Sequence, residues 1–321
     1  MPSYVARRLA YSIPVLLIAS FLLFAFVRAT FDPTARLRAS RDPHAVERER
    51  VRLGLDKPIV VQYKDWLVKF GQGDWGESSR THDRVAPMIR SALWNTIQLI
   101  LWGILVSAVF AIGIGIYSAV RQYSLADYVL TSASFIGLAM PPFWFGLIAI
   151  AFLAVGPKNW FHLSNPPLFF VGLHSVQSTG ILDYPRHLVL PVLTLTVQIV
   201  ASWSRYERAS MLDAINADYV RAAKAKGLSP RQVIFKHAFR NALIPLVTVM
   251  ALDVGLLFGG LVVTEQIFSV PGMGKLFIDS LVQGDANVLV VWTVVTAAFV
   301  IIFNLLADVA YGALDPRIRL A

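Results

Sequence analysis

Apolar residues fall in six long runs along the chain, separated by shorter polar stretches. A helix rising about 1.5 Å per residue crosses roughly 30 Å of bilayer hydrocarbon in a run of this length. The pattern places the runs at 9–27, 93–120, 128–155, 188–203, 243–263 and 288–310. The fourth is the shortest, and its pattern allows extension past Arg205. Pro14, Pro141, Pro142, Pro191 and Pro245 lie inside runs. They are expected to kink helices and not to open loops, because neighbouring helices and water satisfy the carbonyls they free. The first run exceeds the about 7–15 apolar residues of a signal peptide. Phe26-Val27-Arg28 is also a poor cleavage site, so a retained anchor is expected. The fold class expected is all-α integral membrane, with six transmembrane helices.

Lysine and arginine in short loops set orientation. With both termini inside, the inner side carries Arg7, Arg8, Arg121, the cluster from Arg205 to Arg240, Arg317 and Arg319, and the short outer loops only Lys158, Arg186 and Lys275. The reverse would translocate the whole cluster, so N-in, C-in is expected. Four segments follow: an N-terminal helix (1–28), an extracytoplasmic subdomain (29–91), a five-helix core (92–311) with a cytoplasmic loop at about 205–241, and a cytoplasmic tail (312–321). In the subdomain, Asp42-Pro43 suits a helix start and Gly54 its stop. Pro58 opens a second helix with Ile59, Tyr63, Trp66, Leu67 and Phe70 on one face, ended by Gly71, Gly73 and Gly76. That face serves either as a docking surface for an external partner or as a lid on the outer helix ends.

Composition agrees with a membrane protein: 56% of residues are hydrophobic and only 15% charged, against about a quarter charged in soluble domains. The net charge of +9 does not suggest nucleic acid, because the basic residues flank apolar runs instead of forming an aromatic-interleaved patch. The absence of cysteine excludes disulfides and thiolate metal sites, and the six histidines are scattered without metal-ligand spacing. Ser269–Leu276 resembles a phosphate loop but lacks the first glycine and the hydroxyl after Lys275, so no nucleotide or other cofactor is expected in this chain.

The largest cytoplasmic loop holds the most specific pattern. Asp218 to Lys226 are good helix formers, and Gly227 suits the left-handed position just after a helix. Ser229, Pro230 and Gln232 then form a capping box for a second helix, with Val233, Ile234 and His237 on one face. A helix, a glycine turn and a helix make a rigid protrusion able to transmit force. Adjacent Ala222 and Ala223 leave room for another protein's backbone. On spacing alone, docking to a protein and lying on anionic headgroups are equally open.

Arg221-Ala222-Ala223, then Gly227 after three residues, resembles the EAA motif of ATP-binding-cassette importer permeases. The run from Asp218 to Ser229, ending in His237-Ala238-Phe239-Arg240-Asn241-Ala242-Leu243-Ile244-Pro245, resembles the dipeptide/oligopeptide/nickel branch, and in particular the first permease of the pair. Leu53–Pro58, Gly73–Gly76, Thr264–Gly274 and Asp315-Pro316-Arg317 extend the resemblance nearly end to end. Arg221 stands where the general motif has glutamate, and the tail reads His237-Ala238-Phe239-Arg240; both features favour the peptide-type branch.

The resemblance implies a type I importer permease fold and a second, homologous permease. It also implies two cytoplasmic ATPases that hold ATP and Mg, an extracytoplasmic solute-binding protein, and alternating access. Arg221, Ala222, Ala223, Lys224, Gly227 and Arg240 would couple to an ATPase. Among ionisable residues in the runs Asp253 stands out, since an acid at a helix centre costs about 2.5–3.5 kcal/mol on insertion scales. It would line the solute path and meet a peptide's amino terminus, or bond to the partner permease. Gln198 and Asn304 are further pathway candidates, or interhelical hydrogen-bond donors. Gly255 and Gly259 offer a small-residue face for close packing, and Asp308 is expected to anchor at the cytoplasmic end. Nickel or glutathione are alternative solutes. A stand-alone secondary transporter is disfavoured, since neither an inverted repeat nor a buried charge relay is visible.

Overall fold

The computed structural model describes residues 2–32, 34, 42, 44–176 and 180–314. Six helices among these residues are long and apolar enough to cross a membrane. In chain order the elements are α1 (Pro2–Thr30), α2 (Ala45–Arg52), α3 (Ile59–Gly71), α4 (Val85–Val120), α5 (Leu125–Ala139) and α6 (Pro142–Trp160). Next come α7 (Asp183–Asn216) and α8 (Asp218–Ala225). The long α9 starts as Pro230–Gln232, widens into a π-helical stretch at Val233–Ala238 and runs on as Phe239–Gly260. Val262–Ile267 (α10), Met273–Gln283 (α11) and Ala286–Leu314 (α12) complete the chain.

One open boundary is settled and one expectation changes. The fourth span does extend past Arg205, as its pattern allowed, and reaches Asn216. The third is not one kinked helix. Met140 is extended (φ −79°, ψ 121°), as a residue before proline prefers, and Pro142 occupies the first turn of a new helix. Two adjacent prolines remove two amide donors, so the chain breaks here where one proline only bends it. Pro14, Pro191 and Pro245 do stay inside helices.

The chain divides into two compact units. One comprises residues 2–96 and 271–301. Its centre is an aromatic ladder: Phe24 meets Tyr63 and Trp66, Trp66 stacks on Phe70 at 5.1 Å, and Phe70 stacks on Trp75 at 5.1 Å. The Tyr63 hydroxyl lies 2.7 Å from that of Ser20 in α1. Thus the apolar face expected on α3 turns onto α1, as in the lid reading. Outside the spans, the hydrogen bond from Lys57 holds the Asp65 carboxyl below the usual carboxylate range. Asp285, just before α12, accepts from the hydroxyls of Ser78 and Ser79 and from the Ser79 amide. Asn287 donates to the Glu77 carbonyl at 2.9 Å. Asp42 accepts from the His44 amide near the start of α2; Pro43 and residues 315–321 lie outside the described residues.

The other unit covers residues 97–270 and 302 onward. Its largely buried mast is α7, and α5 lies along it, fixed at three heights. Arg208 makes a two-pronged ion pair with Asp127, both bonds 2.9 Å. The hydroxyls of Ser134 and Ser204 are 3.2 Å apart. Gln198 donates to the Met140 carbonyl at 2.9 Å, answering an acceptor that the proline break leaves open.

Candidate functional site

The loop after α7 folds as its pattern requires. Ala217 is extended and ends the mast, and Asp218 opens α8, an acid in a first turn that complements the helix dipole. After Ala225 the chain turns through Gly227 at φ +76°, a region that costs other residues about 1–2 kcal/mol. Ser229 and Gln232 form both halves of the capping box, with Pro230 in the first turn.

Packing then bolts this knuckle in place. Val220 and Ala223 of α8 are buried against Met211 and Ala214 of α7, Val233, Ala238 and Ala242 of α9, and Ala119 of α4. Full burial of a valine contributes about 1.5–3 kcal/mol, and the surrounding alanines let three backbones approach closely. Ala223 is therefore not part of an open alanine pair. It faces inward and supports α8, while Arg221, Ala222, Lys224, Lys226 and Gly227 remain exposed. The Arg221–Asp218 pair joins side chains 72% and 91% exposed, so it adds only about 0.3–0.5 kcal/mol. Arg240 is exposed at the start of the straight part of α9.

Asp253 and Gln198 come together around a cavity of about 210 Å³, with Pro142, Thr194 and Leu257 in its wall. Asp253 accepts a 2.6 Å hydrogen bond from the Trp203 indole, a partner within the chain that sequence reading missed. Asn304 does not join them: its Oδ1 sits 3.1 Å from the point where a Cβ on Gly255 would lie. Gly255 thus packs on α12 of the same chain. The surroundings of Gly259 and the side chain of Asp308 fall outside what is described.

Sequence reading also passed over Glu207, fully buried beside Gly115 with no acceptor or donor partner among the described residues. A Cβ on Gly115 would come within 2.6 Å of its Cβ and Cγ, so only glycine lets α4 approach α7 here. The one available signal was a lone acid between Arg205 and Arg208, just past the expected end of the fourth run.

The model of the family described as "Binding-protein-dependent transport system inner membrane component" matches residues 111–320, a stretch that contains the whole knuckle. The chain belongs to this family. Residues 1–99 match the N-terminal component of the same inner membrane systems. Among curated relatives, the permease is 40% identical to the oligopeptide transport system permease protein AppB of Bacillus subtilis, covering 99% of this chain and 100% of that one. It is 38% identical to the di/tripeptide transport system permease protein DppB of Pseudomonas aeruginosa, over 99% of both. The glutathione transport system permease protein GsiC of Escherichia coli is 35% identical, again over 99% of both. Solved structures support the fold alone. The MetNI methionine ABC transporter matches with a TM-score of 0.55 at 17% identity, covering 71% of this permease and 96% of that chain. An amino acid ABC transporter gives 0.52 at 13%, covering 70% and 93%.

Proposed function

We propose that this chain is one of two permease subunits in an ATP-driven importer that moves di- and oligopeptides inward. The observation that carries the reading is the bolted knuckle: a stiff, basic projection whose supporting residues are all internal and whose exposed residues match a docking motif. In this reading the α8–Gly227 segment seats in a partner ATPase, which binds ATP and Mg²⁺. Closure of the ATPase pair draws two such knuckles together and opens the permeases outward, and hydrolysis resets them. This chain contributes no catalytic group. A solute-binding protein delivers solute on the other side. The cavity at Asp253 and Gln198 forms part of the solute route, with the carboxylate meeting a peptide's amino terminus.

Affinity purification in mild detergent tests the assembly. Two ATPases and a second permease are expected to copurify; a lone homo-oligomer that accumulates solute without nucleotide would sink the reading. For orientation, Ser78 is a poor labelling position, because it is buried against Asp285. Single cysteines at the exposed Thr81 and Lys226 should label from opposite sides of the membrane. Glutathione is the second reading for the solute, favoured by the full-length similarity to GsiC. Competition of labelled dipeptide uptake by excess glutathione separates the two.

A further inference from the structure

Arg28 lies in the last turn of α1, with its guanidinium 5.4 Å from the Phe24 ring centre. Its Nε and Nη1 are buried and meet no acceptor among the described residues. Buried charged donors are normally answered, because an unanswered one carries its full desolvation cost. Arg28 stands in the wall of a cavity of about 640 Å³, together with Arg50 of α2, Gln62 and Ile59 of α3, and Ala25 and Ala29 of α1. One carboxylate, Asp32, shares the wall, and its Oδ1 already accepts from the Thr34 amide and hydroxyl at 2.8 and 2.7 Å. Residues 35–41 contain three arginines and no acid, so the adjoining sequence adds positive charge and no carboxylate.

A second feature leads into the same cavity. Tyr11, Val15, Ile18, Leu22 and Phe26 recur at intervals of three and four on α1, and each is more than half exposed. At 3.6 residues per turn, Ala25 and Ala29 continue this stripe, and both line the cavity. An apolar surface of membrane-spanning length therefore runs directly into a basic pocket at the helix end.

We propose that this pocket seats the phosphodiester of an anionic phospholipid, with Arg28 and Arg50 as its cationic arms and the α1 stripe as the bed for its acyl chains. Charge-assisted bonds from guanidinium to phosphate answer the buried nitrogens. The stripe favours a lipid over a free anion, which would leave the apolar surface unused. Phosphate headgroups line both leaflets, so the inference does not depend on orientation.

The transporter, purified with its partners and stripped of lipid in detergent, is titrated with phosphatidylglycerol in mixed micelles and followed by native mass spectrometry and thermal melting. Phosphatidylglycerol is expected to bind and raise the melting temperature. Arg28→Gln and Arg50→Gln should each weaken binding about tenfold, and Phe26→Ser less. Arg50 is exposed on α2, so its variant keeps the test open if Arg28→Gln fails to fold. Variants that bind like the parent overturn the proposal. So does inorganic phosphate that stabilises as well as the lipid, or phosphatidylcholine that binds as tightly.

Discussion

The knuckle and the α1–α3 segment solve the same problem, fixing a short helix on a membrane bundle, with opposite materials. Around α8 the contacts are Val220, Ala223, Ala214, Ala238 and Met211. Around α3 they are Tyr63, Trp66, Phe70, Trp75 and Phe24. Small residues bring backbones together, so a push on α8 reaches α7 and α9 with little side-chain slack. Large rings give more buried area per residue but hold the backbones further apart. If the knuckle transmits motion, as proposed, the two segments differ in the size of their packing residues as their tasks would require.

Substitutions break this contrast in a definite order. Gly227→Asp should insert normally yet abolish ATP-driven uptake in proteoliposomes. The position is open, so no clash arises; the penalty comes from φ +76° and, more, from a negative charge set among Arg221, Lys224 and Lys226. Gly227→Asn, which shares aspartate's tolerance of that region but carries no charge, should keep most of the activity, and normal uptake by the aspartate variant would falsify the coupling role. Ala223→Leu should follow: overpacking costs about 1–3 kcal/mol and tilts α8, so copurified ATPase should fall while the permease stays in the membrane. Trp66→Ala should cost about 3–5 kcal/mol of fold stability, seen as a lower melting temperature, with uptake per folded molecule preserved. Asp218→Ala removes an exposed ion pair and an exposed first-turn acid, both weak, and should change uptake by less than twofold. If Trp66→Ala instead uncoupled uptake as Ala223→Leu does, the division of labour would be wrong.

Local signals made much of this legible. The capping box at Ser229 and Gln232 and the turn at Gly227 each depend on residues within four positions, so sequence defines them. Long-range partners were invisible. Ser78 stands in a polar stretch, and its hydrogen bond to Asp285, 207 positions away, has no local signal. Asp253 reads as a lone acid until the fold brings the Trp203 indole to it. Alanine has no orientation of its own, so Ala223 shows its inward face only through Val220, three residues earlier and on the same side. The double proline was misread because one proline bends a membrane helix and two in succession end it.

The three ties between α5 and α7 have a further consequence. α5 is 15 residues long and is pinned at its start by Arg208, midway by Ser204 and just past its end by Gln198. Two rods riveted at three points cannot slide or hinge against each other without shearing a rivet. They are therefore expected to travel as one girder, and the third rivet, at the Met140 carbonyl, ties the two-proline joint between α5 and α6 to that girder as well.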